Sequence, residues 1–195
     1  MKKITAFDWI NNNIKSEDLF EHRSNLGLNK RVQKKYQDID AIENISEYVD
    51  LGLPSRTLWC KHNYGVEKEY EFGELYTFDD AQKLDIKLPT KDDFIELDKY
   101  CDHEWTEMNG VNGMLFTSKS NNKSVFFPAA GYYYSGILQP GILQHTIQNR
   151  GSHGAFWTSS LYSSTKSYNM YFYNSEVCPK DLDSRFYSFS VRAVQ

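Results

Sequence analysis

Ser167–Asn174 reads SYNMYFYN. Tyr168, Met170 and Phe172 fall on one parity and Asn169, Tyr171 and Tyr173 on the other, the period of two that a strand with one buried face requires. The apolar parity reads as core. The opposite parity carries two rings and an amide that a core does not need, and a cluster of such groups marks a binding surface where a single exposed ring would not. The stretch lies between AFWTSS, which begins at Ala155, and SRFYSFSVRAV, Ser184–Val194. The chain from Ala155 to Gln195 therefore reads as the strand system around which the rest is organised.

Upstream, the pattern gives further short strands and a few helices. Asn121-Asn122 forms a hairpin tip that pairs Met114–Thr117 with Ser124–Phe127, while Asn109-Gly110 and Asn112-Gly113 are turn candidates, Gly113 also a bulge candidate. Ser135–Gly154 carries several glycines and a proline with little period and reads as a long surface loop, a class often used for function. KLPTKDDFIELDKYC, Lys87–Cys101, predicts a helix with Thr90 as N-cap, Asp93 reciprocating three residues on, and Phe94, Leu97 and Cys101 along one face; Lys99 suits the negative end of its dipole. Thr77 and Asp80 have the same capping spacing and open a shorter helix. YVDLGLPSRTLWCKHN, Tyr48–Asn63, reads as strand, turn, strand, with Gly52 and Pro54 in the turn. Residues 65–76 are charged and Tyr-rich without a clear period. The architecture is α+β: short helices beside a mainly antiparallel sheet system.

Residues 1–45 differ in texture and read as a helical arm preceding a domain at 46–195. Ile4, Phe7, Ile10 and Ile14 fall near helical spacing, Ser16 caps SEDLFEHR, Gly27 interrupts, and Val32, Tyr36, Ile39 and Ile42 then share a stripe with Lys30, Arg31, Lys34 and Lys35 off it. So short a helix with one apolar stripe needs something to bury it. The arm either folds back on its own domain or serves attachment or oligomerisation, with Phe7, Ile10, Ile14, Val32 and Ile39 as docking residues. The basic run from Lys30 to Lys35 reads as a solvated helix face.

Composition sets the outer bounds. The 195 residues suffice for one domain with an appendage and a core that needs neither disulfides nor metal. Against 26 acidic residues stand 22 basic ones, a formal net charge of -4, so no strong field favours nucleic acid or an anionic membrane. Aromatics reach 15% while mean hydropathy is -0.63, which places many rings in strands or at the surface of a polar chain. Lys2 and Lys3 begin the chain as a secretory signal would, but Asp8 and the run Asn11–Asn13 interrupt any apolar stretch, so no signal peptide is expected. No apolar run reaches membrane-spanning length. Cys60, Cys101 and Cys178 are odd in number and widely spaced, and His22, His62, His103, His145 and His153 are scattered, so neither a disulfide framework nor a zinc site is expected.

Taken together, YVDLGLPSRTLW, LPTKDDFIEL, EWTEMNGVNG, VFFPAAGYYY, FWTSS and FSVRAV, in that order from about Glu47 to Gln195, resemble the Fibrobacter-type major paralogous domain found in Bacteroidetes and in phages that infect them. The resemblance implies a C-type-lectin-like fold, shared with formylglycine-generating enzymes and with variable receptor-binding proteins. It implies that the N- and C-terminal strands lie together and that ligands meet the late loops and strands. Arg56 stands where that family usually has Gly and Cys60 where it has a small residue, so the first hairpin differs in shape. The calcium-dependent sugar triplet of true C-type lectins is absent, and Gln139-Pro140-Gly141 lacks the carboxylate that would supply a hard oxygen ligand. The cysteine pair of formylglycine-generating enzymes has no counterpart.

Three groups of residues compete as sites. Cys101-Asp102-His103-Glu104 juxtaposes nucleophile, base and acid types, yet neighbours in sequence at a helix end do not converge as catalytic groups must. Glu104 with Glu107, or Asp181 with Asp183, have the residue types of a glycosidase pair, but acids near turns are usually solvated. The remaining set, Tyr133, Tyr162, Asn169, Tyr171, Tyr173, Arg185 and Tyr187, fits recognition, because tyrosine offers a large rigid contact with a hydrogen-bonding tip at little entropic cost. Trp59, Trp105 and Trp157 are assigned to core. The expectation is a recognition or adhesion module without catalytic residues, cofactor or metal, carried on a bacteriophage virion as a fibre or capsid decoration. It would contact a host surface glycan or protein and dock on another virion protein, or on copies of itself, through the arm. The alternatives are a passive structural virion protein that uses the rings for subunit contacts, an oxidase of the formylglycine-generating type, and residence in the bacterial cytoplasm.

Overall fold

The C-terminal segment threads between the sheets and accounts for most of the topology. The chain divides into two units, Met1–Glu43 and Asn44–Gln195, and the computed structural model describes residues 47–134 and 146–195. The arm with Phe7, Ile10, Ile14, Val32 and Ile39, and residues 135–145 of the expected loop, lie outside the described residues. Among those described the order is β1 (Tyr48–Asp50), β2 (Leu58–Cys60), β3 (Tyr76–Thr77), α1 (Phe78–Ala81), α2 (Lys91–Tyr100), β4 (Cys101–Met108), β5 (Val111–Ser118), β6 (Ser124–Pro128), β7 (Tyr133–Tyr134), β8 (His153–Leu161), β9 (Lys166–Tyr173), β10 (Glu176–Ser184) and β11 (Tyr187–Phe189). They form the sheets β1-β2, β4-β5-β6, β10-β9-β8 and β3-β11-β7, paired antiparallel throughout. The fold is α+β, mostly antiparallel sheet with short helices. No helix among the described residues is long and apolar enough to cross a membrane.

Local chemistry explains the elements. Asn109 (φ 51°) and Gly110 (φ 83°) supply the two positive-φ residues of a tight hairpin turn between β4 and β5. Asn121-Asn122 closes β5 on β6, with Asn122 at φ 58° and Met114 to Thr117 facing Phe127 to Ser124. Asn112-Gly113 is not a turn but lies within β5: a Cβ on Gly113 would stand 2.5 Å from the Phe126 ring and press on the Phe127 carbonyl, so glycine is there to let the strands close up. On α2, Thr90 Oγ1 accepts from the Asp93 amide at 3.1 Å and the Asp93 carboxylate accepts from the Thr90 amide at 2.7 Å, the expected capping box. Thr77 caps α1 in the same way through the Asp80 amide. Arg56, at φ 62°, adopts the conformation that a glycine would hold without strain.

β8 and β9 separate two apolar layers. Phe156, Met170 and Phe172 point into the larger one with Trp59, Phe94, Leu97, Phe116 and Phe127. Ala155 and Trp157 point into a second, with Phe78, Leu88, Phe189 and Val191, against which Tyr171, Tyr187 and Tyr132 are partly buried. Each fully buried ring is worth about 1.5–3 kcal/mol over an exposed one, so these two layers dominate cohesion. Trp59 and Trp157 are core as expected; Trp105 is only partly buried against the larger layer. The reading of β9 as one core face and one open face is corrected in part: Asn169 is 0% exposed, Tyr171 and Tyr173 are half-buried on that face, and on the opposite parity Tyr168 is only half-buried while Met170 and Phe172 are core.

The C-terminal segment stitches these layers. β11 lies between β3 and β7, Ser190 bridges Phe156 of β8, and Val194 bridges Trp59 of β2. Leu58 and Gln195 exchange amide bonds at 2.9 and 3.0 Å, and the Cys60 amide reaches the Ala193 carbonyl at 3.0 Å. The first hairpin and the last residues are therefore neighbours. His153 and Gly154, expected in the loop, already belong to β8, where Gly131 bridges Gly154.

Candidate functional site

A β-bulge creates the most site-like feature of the surface. Along the β9–β10 pair, Cys178 faces Tyr171, yet Asp181 faces Asn169, so three residues of β10 run against two of β9. That extra residue turns Asp181 and Asp183 onto the face that carries Asn169 and Tyr171. Pro179, which has no amide hydrogen to offer, sits within the shift on this edge strand and helps to blunt it. The two carboxylates thus join Tyr132, Tyr171, Tyr187 and Phe189 around a cleft of about 200 Å³.

Each wall has a structural cause. Gly131 at φ 72° turns the chain out of β6 so that Tyr132 bridges Gln148 and aims its ring at the cleft. The Tyr132 ring lies 6.5 Å from Tyr171, 5.8 Å from Tyr187 and 6.2 Å from Phe189, edge-on to the last two. Tyr187 stacks on Phe189, which packs on buried Trp157 at 4.3 Å. The Trp157 indole is locked by its bond to the Tyr76 carbonyl at 2.8 Å. The rings stand on a rigid floor.

Electrostatically the cleft is acidic and partly dry. Burial, then the Asp181 charge, pushes the Asp183 carboxyl up from the ordinary aspartate range, against the opposing pull of the Asn169 bond and Lys166. The Asn169 amide nitrogen donates to Asp183 Oδ2 at 3.1 Å, while Asn169 Oδ1 is buried without a hydrogen-bond partner among the described residues. Burial, then Tyr132, Asp181 and Asp183, pushes the Tyr171 phenol to about 12, and Tyr187 rises through burial and Asp183. The Tyr171 and Tyr187 phenols, raised above an already high ordinary value, keep their hydroxyl donors at neutral pH.

The Asp183 environment has a measurable cost. Its folded pKa lies above its unfolded one, so ionisation opposes folding: the penalty is absent below the unfolded range near 4 and fully present above the folded value. Asp181, Lys166, Tyr171, Tyr187 and Asn169 are the polar groups acting on it. Asp183→Asn, which can still accept from Asn169, is therefore expected to raise the urea midpoint at pH 7 and to leave it unchanged near pH 3. A midpoint difference that does not depend on pH would contradict this environment.

The residues selected from sequence separate into groups. Tyr171 and Tyr187 line the cleft, and Asn169 lies behind Asp183 rather than at the surface. Tyr173 stands next to Tyr171 at 6.3 Å and donates to Glu176 at 2.6 Å. Tyr133 faces a different hollow of about 350 Å³ with Glu74, Ile147 and Arg150. Tyr162, 57% exposed, lies at the far end of β9, edge-on to Tyr168. Arg185 is occupied: it pairs with Asp79, donates to the Ser164 carbonyl at 3.0 Å and covers the Phe78 ring. Tyr132, Asp181, Asp183 and Phe189 were not selected. The expectation that acids near turns are solvated fails for Asp181 and Asp183, which lie inside β10 and are half-buried.

The other chemistry-bearing motifs do not converge. Cys101 is buried while Asp102, His103 and Glu104 are exposed on the same strand, and His103 lies 3.6 Å from Asp98 instead. Burial pushes the Cys101 thiol to about 11, and burial with Glu176 does the same for Cys178. All three cysteines are free. Among the described residues no group of three or more His, Cys, Asp or Glu side chains is placed to hold a metal ion.

Residues 106–194 match the family model described as a domain of unknown function, DUF8237. That span holds every cleft residue. No curated protein and no solved structure matches the chain.

Proposed function

We propose that residues 47–195 form a C-type-lectin-like recognition module whose contact surface is centred on the cleft between β7, β9, β10 and β11. The observation that carries the reading is the convergence of three tyrosines and two aspartates, from the Tyr132 segment, β9, β10 and β11, on one concave surface backed by a packed aromatic floor. Rigid rings around a few polar groups are what small recognition sites are made of. The side-by-side placement of the first hairpin and the last residues is what the resemblance to the Fibrobacter-type domain implies, and supports its fold. In this reading the module is carried on a bacteriophage virion as a fibre or decoration and meets a host surface glycan or protein, while the arm at 1–45 attaches it to another virion protein.

Labelled full-length protein incubated with a panel of Bacteroidetes cells and with a glycan array tests this. Wild type is expected to bind at least one cell type or glycan, and Tyr171→Ala with Tyr187→Ala to reduce binding at least tenfold, with folding monitored by near-ultraviolet circular dichroism. Loss of hydrophobic contact at two anchor rings justifies that size. No binding by wild type, or undiminished binding by a folded double variant, sinks the reading.

A further inference from the structure

The charge and size of the cleft narrow what can enter it. Asp181 and Asp183 lie on one face of β10 two residues apart, and among the described residues neither is ion-paired, although the chain pairs Asp79 with Arg185 and Asp80 with Lys83 nearby. The hydrogen bonds they accept come from the Asn169 amide at 3.1 Å and the Leu182 backbone at 2.9 Å. Among the described residues no Lys, Arg or His lines the cleft, and the remaining walls are Tyr132, Tyr171, Tyr187 and Phe189. Two half-buried carboxylates without an ion-pair partner among the described residues, with Lys166 acting on Asp183 only from outside the lining, favour a cation, and aromatic faces favour one too. Behind Asp183, the Asn169 amide nitrogen is already committed to that carboxylate, and the buried Asn169 Oδ1 has no partner among the described residues.

Shape then selects among cations. A bare metal ion prefers several hard oxygen ligands, and no group of three or more carboxylate, His or Cys side chains is placed for one among the described residues. The cleft, at about 200 Å³, is several times the roughly 30 Å³ of a liquid water and below the roughly 300–1,000 Å³ of pockets that enclose whole small molecules. It admits the end group of a ligand, a few heavy atoms across.

We propose that this cleft binds an organic ammonium group, held between the Asp181 and Asp183 carboxylates and the faces of Tyr132, Tyr171 and Tyr187, presented by an amino sugar or by a lysine-like side chain. The proposal rests on the recognition reading for its biological setting only; the chemistry stands on the cleft itself. Its corollary is that the unfavourable burial of Asp183 beside Asp181 is retained because the bound ammonium charge offsets it.

The test uses isotope-labelled full-length protein, titrated separately with tetramethylammonium chloride, glucosamine, lysine methyl ester, glucose, N-acetylglucosamine and calcium chloride, while tyrosine ring and Asn169 amide resonances are followed. At least one of the three ammonium probes is expected to shift the Tyr171, Tyr187 and Asn169 signals saturably, and the neutral sugars to leave them in place. Asp181→Asn with Asp183→Asn is expected to weaken that binding at least tenfold while the protein remains folded. Neutral sugars binding as tightly as ammonium probes, saturable calcium binding in place of ammonium, or no shift with any probe each overturns the proposal. Those outcomes leave the recognition reading to the cell and glycan binding described above, and ammonium binding without cell or glycan binding would sink that reading while upholding this one.

Discussion

Arg192→Met is expected to lower the free energy of unfolding by about 3–5 kcal/mol, enough to unfold a domain of ordinary stability at its lower end. Arg192 is 0% exposed and, among the described residues, has no carboxylate partner within bonding distance. Its guanidinium donates to the carbonyls of Cys60 at 2.9 Å, Lys61 at 2.7 Å and Phe126 at 3.0 Å, and twice to Asn63 Oδ1, at 3.1 and 2.6 Å. It also lies over the Phe127 ring at 4.6 Å. Burial pulls its pKa down to about 10, which leaves it charged at neutral pH. One side chain thus joins the first hairpin, the central sheet and the C-terminal segment. Removing it strands four acceptors, three of them buried, each buried one worth about 1–3 kcal/mol when left unmade, offset in part by no longer burying a charge. Arg192→Lys is expected to recover only a minority of the loss, because a single ammonium cannot span the same acceptors. Urea unfolding decides the matter: a methionine variant within 1 kcal/mol of the parent would mean that packing, not this donor set, holds the three parts together.

Gly131→Ala is expected to cost about 3 kcal/mol or more and to disturb the cleft. The residue sits at φ 72°, where an L side chain pays about 1–2 kcal/mol before any contact is made. A Cβ there would also press on the Gln148 carbonyl and stand 2.8 Å from the Arg150 amide nitrogen, and these are backbone atoms that cannot swing aside. The Gly131 amide bonds the His153 carbonyl at 2.9 Å, and Tyr132 and Gln148 exchange bonds at 3.1 and 2.7 Å, so relief means parting the Tyr132 strand from the 146–154 segment. Gly151→Ala is the control: at φ 82° it has the same backbone conformation with open space where the Cβ would go. Thermal unfolding of both should show Gly131→Ala losing at least twice as much as Gly151→Ala. Equal losses would reduce the role of Gly131 to backbone conformation alone.

These two residues mark where sequence reasoning stopped. The capping box of Thr90 and Asp93, the Asn109-Gly110 turn and the pairing of Met114–Thr117 with Ser124–Phe127 were all legible, because their partners lie a few residues apart and period-two patterning sets hairpin register. Arg192 lies inside an alternating apolar run and shows no sign of its role until Asn63 and Phe126 are brought to it. Gly113 looked like a turn and is a strand contact, a difference that depends on the Phe126 ring opposite. The tyrosine-rich parity of β9 drew attention to the correct strand for a partial reason. Tyr171 does reach the cleft, but Asn169 and the neighbouring Trp157 are covered by a second apolar layer that periodicity in one strand cannot reveal.

The sequence by itself determined the local grammar: where strands alternate, where helices are capped, which turns need positive φ, and that Tyr171 and Tyr187 are surplus to a single core. Tertiary structure alone decided which surfaces meet. One extra residue in β10 between Cys178 and Asp181 turns Asp181 and Asp183 onto the face of β9 that carries Tyr171, and the φ of Gly131 delivers Tyr132 opposite them. A bulge changes the facing of every residue after it while leaving composition and local propensity almost untouched, so the acid-lined aromatic cleft exists only once the strands are in register.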